Sequence, residues 1–203
     1  MPRSQEQYEK IRKQKKQLIL DTALELFAEN GFHATSMSRI AKKAGISKGL
    51  AYNYFESKKE ILDEIIKSGF DSIFSNFDLN KDGVLTEEEF NFFIKKSFQV
   101  LRENVRYWRL YYSITLQPKV AESFQSEYIE KAKPLFSMLY QFAESKGSKD
   151  PESDVIAISA LFEGSYLFTI TASNFFPMEK MEKVVIDTCS RIINNQKVKN
   201  HES

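Results

Sequence analysis

Between Asp78 and Phe90 the chain reads DLNKDGVLTEEEF. Asp78, Asn80 and Asp82 take the first, third and fifth places, Gly83 the sixth and Glu89 the twelfth, the spacing at which a loop between two helices gathers oxygen ligands around calcium. On that reading Asp78, Asn80 and Asp82 give side-chain oxygens, Val84 its backbone carbonyl, Thr86 a direct or water-bridged contact, and Glu89 a bidentate carboxylate. Phe70, Phe74 and Phe77 precede the loop at helical spacing, and Leu85 holds its apolar place. The same residues also suit a plain connection, because Asp, Asn and Gly form turns and Thr86 with Glu89 is a capping box. Such loops usually work in pairs and the sequence has one, so an ion here is expected to bind weakly. Both readings stand on the sequence.

A second constellation lies nearer the N-terminus. Thr35 or Ser36 can cap a short helix through Ile40 and Ala41, which closes at Gly45, and Ser47 can cap another through Leu50 to Phe55. Two short helices joined by Ala44-Gly45-Ile46-Ser47 meet the requirements of a helix-turn-helix, whose second helix can enter the DNA major groove. Charge agrees: residues 1–60 hold 12 Lys and Arg against 7 Asp and Glu, whereas the remainder holds 17 against 21, behind an overall charge of only +1. The basic end is the candidate for a polyanionic partner.

The elements that position these residues read as helices throughout. Glycine and proline are scarce, 7 and 5 of 203 residues, and no alternating run bounded by turn signals supports a strand. Ile11, Leu18, Ile19, Thr22, Leu26 and Phe27 recur near helical spacing and stop at Asn30-Gly31. ESKKEIL opens a helix running toward Phe77; another spans about Thr86 to Gln117, with a break at Pro118, and a further one about Val120 to Ser145. VIAISALFEGSYLFTITASNFF is apolar nearly all round and MEKMEKVVIDTCSRIINN is amphipathic, a pair suited to a dimer face; KVKNHES reads as a frayed tail. The chain lacks roughly 20 uninterrupted apolar residues and its charged start has no signal-peptide core, so no membrane is expected and the cytoplasm is the expected location. Cys189 is the single cysteine, within an apolar pattern, and reads as a buried structural thiol.

GFHATSMSRIAKKAGISKGLAYNYFESKKEIL resembles, nearly position by position, the DNA-binding segment of TetR-family transcriptional regulators, and the resemblance covers residues 12–66. It implies an all-α fold, with a helix-turn-helix domain at 1–58 and a helical effector-binding and dimerisation domain at 59–203. It also implies double-stranded operator DNA as partner, a homodimer through the last two helices, a small-molecule effector and, more often than not, repression. Carried residue by residue, it gives Thr35, Ser36, Lys48, Tyr52, Tyr54 and Lys58 phosphate contacts and brings Leu50, Ala51 and Asn53 to the bases. Asn53 stands where a histidine is common and Leu50-Ala51 where threonine-leucine is usual, which leaves the operator open. Phe55, Ile40, Ala41 and Ile46 are expected in the small core.

Phe70, Phe74, Trp108, Tyr111, Tyr112, Phe124, Tyr140, Phe162 and Tyr166 give an aromatic interior suited to an apolar or planar effector, or simply to a core. Glu163, a carboxylate on an apolar helix, faces solvent, meets an arginine across a dimer, or reads a cationic ligand. No GxSxG, HExxH, P-loop or dinucleotide pattern occurs, and His33 and His201 are the only histidines, so an enzyme is not expected. The competing reading is a calcium-binding protein of EF-hand type whose helix-turn-helix is incidental.

Overall fold

A computed structural model describes residues 5–194, with the side chains of 123–128 and 194 outside the description. Phe124 and the tail KVKNHES therefore lie outside the described features. In chain order the helices are α1 (Gln5–Asn30), α2 (Met37–Lys43), α3 (Lys48–Tyr52), α4 (Lys58–Phe74), α5 (Glu87–Glu103), α6 (Val105–Thr115), α7 (Pro118–Ser145), α8 (Pro151–Thr171) and α9 (Met178–Asn194), and no strand occurs among the described residues. The protein is all-α, as the periodicity predicts.

The long region expected from Thr86 to Gln117 is two helices rather than one. Asn104 leaves helical geometry at φ −152° and ψ 68°, and its Oδ1 accepts from the Tyr107 amide, so one asparagine ends α5 and caps α6. Pro118 falls at the first position of α7, where its missing N–H costs no helical bond. Pro134 is tolerated inside the same helix.

The chain forms two compact units. The first comprises residues 1–70 with 110–122, larger than the 1–58 expected from sequence, and the second comprises 71–109 with 123–203. In the first unit Ile19, Ala23, Phe27, Ile40, Ala51, Phe55 and Ile61 are at most 2 % exposed, and each large apolar side chain among them contributes about 1.5–3 kcal/mol on burial. Gln117 fastens the end of α1 in this unit: Nε2 donates to the Phe27 carbonyl at 3.1 Å and Oε1 accepts from the Phe32 amide at 3.3 Å.

In the second unit the aromatic rings pack on one another. Phe93 stacks on Phe74 at 5.8 Å and meets Phe77 edge-on at 4.9 Å, while Phe162 lies 5.5 Å from Phe93 and 5.7 Å from Tyr166. Such ring pairs add about 0.5–1.5 kcal/mol each beyond area burial. By length and composition α8 would suffice to cross a membrane, contrary to expectation. Here its Val155, Ile158, Phe162, Tyr166 and Ile170 are buried, while Ile156 and Phe168 remain exposed. Cys189 is buried, and burial pushes its thiol up to about 12, which keeps it protonated and unreactive.

Two helix starts respond to acid. Asp150 Oδ1 accepts from the Ser153 amide at the start of α8, and at the start of α5 the Thr86 amide and hydroxyl hold the Glu89 carboxyl below its ordinary 4.5, against the opposing effect of burial. The Glu89 contribution is complete above pH 4.5 and is lost as pH falls through the lowered value. Protection of the α5 amides Glu87–Phe90 against hydrogen exchange, taken relative to their intrinsic rates at each pH, should therefore fall on acidification, and Glu89→Gln should remove that dependence.

Candidate nucleic-acid interface

The expected turn between two short helices is present, and its caps are local. Ser36 Oγ accepts from the Arg39 amide at 3.2 Å to start α2, and Ser47 Oγ accepts from the Leu50 amide at 3.1 Å to start α3. Gly45 turns the chain between them at φ +66°, where a side chain would be strained. Burial of Ile40, Ala41, Ala51 and Phe55 fixes one side of the pair, so Ser36, Ser47, Lys48, Gly49, Tyr52 and Asn53 are left on the exposed side. Ile46 is half-buried rather than buried.

Several expected contacts keep this placement. Ser36, Lys48, Tyr52 and Asn53 are exposed, Leu50 and Tyr54 are half-buried, and the Lys48 ammonium stands 5.9 Å from the centre of the Tyr52 ring. Asn53 is the C-cap of α3, one residue past its helical end.

Three residues are placed otherwise. Thr35 is 1 % exposed, and its hydroxyl donates to the Leu26 and Gly31 carbonyls, so it ties α1 to the turn and cannot serve a phosphate; Ser36 alone is the cap. Ala51 is completely buried, four residues before Phe55 on the same side, and cannot meet a base. The Lys58 ammonium donates to the carbonyls of Phe32, His33 and Thr35 at 2.8, 3.0 and 2.9 Å and lies 4.6 Å over the Phe32 ring. An ammonium has three donors, all used here, so Lys58 is a clip within the unit rather than a phosphate cation.

The basic pair in AKKAG divides in a way that spacing does not reveal. Lys43 pairs with Glu25 at 3.2 Å and Glu29 at 3.5 Å on α1, whereas Lys42 is exposed and joins Lys48 as a candidate phosphate contact. The neighbouring Arg39 donates to Asn30 Oδ1 at 2.9 Å.

The residues expected to line an effector site fall in both units. Phe70, Tyr111 and Tyr112 belong to the first and are half-buried, and the Tyr111 hydroxyl donates to the Ile66 carbonyl at 3.2 Å. In the second, Trp108, Phe162 and Tyr166 are buried, Phe74 is half-buried and Tyr140 is 40 % exposed. Trp108 Nε1 donates to the Val100 carbonyl, which satisfies its polar edge within the protein. Glu163 is exposed, on the α8 face that carries Ile156 and Ala160, not among the buried rings. A small pocket of ≈ 10 Å³ in the second unit is lined by Glu87, Phe90, Asn91, Phe142, Lys146, Ser190 and Ile193, none of them in the expected set. That volume admits about one water.

In the loop 78–89, Asp78 Oδ2 accepts from the Gly83 amide, Asn80 Oδ1 from the Asp82 amide, and Asp82 Oδ1 from the Val84 amide. Glu89 closes it by accepting from the Leu79 and Thr86 amides and the Thr86 hydroxyl. Among the described residues no three His, Cys, Asp or Glu side chains converge as a metal centre.

Residues 19–65 match the model of bacterial regulatory proteins of the tetR family. The chain is 38% identical over 96 residues to an HTH-type transcriptional regulator, YuxN, of Bacillus subtilis, a match that covers 46% of this chain but only 31% of that protein. It is 26% identical over 186 residues to IcaR of Staphylococcus aureus, a negative transcriptional regulator of a biofilm operon, covering 88% of this chain and 97% of that one. The fold of FadR from Bacillus halodurans, a fatty acid degradation regulator, superposes with a TM-score of 0.65 at 20% identity, over 93% of this chain and 97% of that chain. Residues 19–65 thus carry the helix-turn-helix of the tetR family, and the chain is similar in sequence to a negative transcriptional regulator and in fold to a further regulator over most of its length.

Proposed function

We propose that the protein is a ligand-responsive transcriptional repressor that binds double-stranded operator DNA as a homodimer in the cytoplasm. The observation that carries this reading is the exposed row of Ser36, Lys42, Lys48, Tyr52 and Asn53 over a buried Ile40–Ala41–Ala51–Phe55 base. Lys42, Lys48, Ser36 and the Tyr52 hydroxyl suit phosphate oxygens, and Asn53 with Leu50 suits base edges. Repression is supported by the similarity to IcaR, a negative regulator. The reading stands without a cofactor and without catalytic chemistry.

A homodimer through α8 and α9 is supported by apolar side chains left outside: Ile156 at 63 %, Phe168 at 48 % and Val184 at 42 % exposure. A second copy would cover them and give Glu163 a place at or beside the interface. Similarity to regulators supports a small-molecule effector, and the ring-lined second unit favours an apolar one.

Selection of bound duplexes from a random pool should return a two-fold symmetric site, since a symmetric dimer reads two half-sites. Retention of no duplex above background would overturn the reading. On the selected site Lys48→Ala should lower the salt slope of binding by about 0.9 for each protomer while leaving sequence preference unchanged. An unchanged slope with a changed preference would move Lys48 from phosphate to base.

A further inference from the structure

We infer that the first half of α1 is a second contact for duplex DNA, one that grips the phosphate backbone without reading sequence; it rests on the operator-binding reading above and adds to it a segment outside the helix-turn-helix. α1 runs for 26 residues, yet its buried residues begin only at Ile19, where the match to the tetR family also begins. Residues 5–18 therefore make about four turns of helix that add nothing to the core. Glu6 and Glu9 stand in the first of these turns, but from Lys10 to Lys16 five of the seven residues are cations and none is acidic.

Helical register decides where these cations stand. Steps of three and four residues back from buried Phe27, Ala23 and Leu20 lead through Lys16 to Arg12 and Lys13, and a step of four back from buried Ile19 leads to Lys15. The cations thus prolong the side by which α1 meets its neighbours, at a level where apolar partners have ended: Arg12 and Lys13 are exposed and Lys15 is half-buried. Lys16 marks the transition. Its ammonium donates to Glu64 Oε1 at 2.8 Å and stands 5.6 Å from the centre of the Phe55 ring, just past Asn53, the C-cap of α3. At a rise of about 1.5 Å per residue, Arg12 lies about 6 Å further out along α1 than Lys16, on the side of α1 that looks toward Phe55.

Their partners are not within the protein. Lys16 and Lys43 are paired with carboxylates of the first unit, whereas among the described residues none of Arg12, Lys13 and Lys15 has an ion-pair partner. A row of uncompensated cations suits a polyanion of regular spacing, and duplex DNA carries about one negative charge per 1.7 Å of its axis. With no hydrogen-bond partners to orient them, these side chains supply charge rather than base readout. Duplex DNA fits better than an anionic membrane. Tyr8, Ile11 and Leu18 are the only large apolar side chains in residues 5–18, too few for the continuous apolar face of an interfacial helix, and the segment belongs to the same compact unit as α2 and α3.

The test combines Arg12→Gln, Lys13→Gln and Lys15→Gln in the full chain and leaves Lys16 in its pair with Glu64. Glutamine forms helix about as well as lysine and arginine, so helix content and melting temperature should hold. On a duplex selected with the wild-type protein, the salt slope should fall by about 0.9 for each replaced cation in each protomer, and low-salt affinity should fall at least tenfold. An unrelated duplex should lose affinity by the same factor, leaving sequence preference unchanged. Hydroxyl-radical footprints should show the triple variant releasing backbone positions different from those released by Lys48→Ala. A wild-type slope in the triple variant would overturn the second contact and leave the helix-turn-helix reading intact. Footprint losses coincident with those of Lys48→Ala would overturn it too, since the cations would then share the contact already described. An unaltered DNA slope, with binding to phosphatidylserine vesicles that only the triple variant loses, would assign the cations to lipid instead. Retention of no duplex by the wild-type protein would remove the operator-binding reading and the second contact with it.

Discussion

Lys58→Met is expected to destabilise the protein by about 2–4 kcal/mol, because it strands three carbonyls that one ammonium now serves and removes a charged group from the face of Phe32. Methionine keeps most of the apolar stem, so the loss is chiefly polar. A chemical-denaturation curve measures it directly, and in a chain of this size the melting temperature should fall by about 2–4 °C for each kcal/mol. The result separates two roles. A phosphate ligand would leave stability nearly untouched and reduce the salt slope of DNA binding by about 0.9 per protomer. A clip does the reverse: stability falls, and the slope measured well below the melting range is retained. Lys58→Arg should recover only part of the loss, since a planar guanidinium cannot point its donors at three carbonyls gathered around one nitrogen.

Lys58 also marks the point at which local reading of the sequence stops. Its partners lie 23 to 26 residues earlier, at Phe32, His33 and Thr35, and nothing in the spacing of SKKEIL distinguishes Lys58 from the ordinary surface charge of Lys59. By contrast Ser36 and Ser47 act within three residues, so the starts of α2 and α3 were legible from hydroxyls placed before helical runs. Thr35 illustrates the boundary between these cases. It is as good a cap as its neighbour by composition, yet its burial follows from the end of α1, where Leu26 and Gly31 offer it carbonyls. Ala51 could have been placed correctly from spacing alone, since it stands four residues before Phe55 and shares its side of the chain; the family resemblance brought it to the bases instead. The break at Asn104 carried a usable sign as well, a cap-forming side chain three residues before Tyr107, hidden in an otherwise continuous apolar periodicity. The aromatic residues were legible as interior and not as a cavity. Ring identity predicts burial, while only the packed geometry shows Phe74, Phe93 and Phe162 filling each other's space.

Gly69→Ala is expected to destabilise the protein by about 1–3 kcal/mol, although in a solvent-exposed helix the same change would stabilise by up to about 1. A methyl at this buried position would stand 2.2 Å from Tyr111 Cε2 and 2.7 Å from Cζ. The ring must therefore move, and with it the hydroxyl that donates to the Ile66 carbonyl, a bond worth about 1 kcal/mol. A mid-helix glycine in KSGFD is thus explained by the close passage of α4 against α6 within the first unit, not by a need for turning: its φ is not positive. A double-mutant cycle with Tyr111→Ala isolates the cause. Once the ring is removed, Gly69→Ala should become neutral or stabilising, because only the helix preference of alanine is left. If Gly69→Ala stabilises the otherwise unaltered protein, the ring has room to swing aside and α4 and α6 are loosely packed there. If it destabilises both backgrounds equally, the obstacle is the backbone of α4 itself and Tyr111 plays no part in holding the two helices in register.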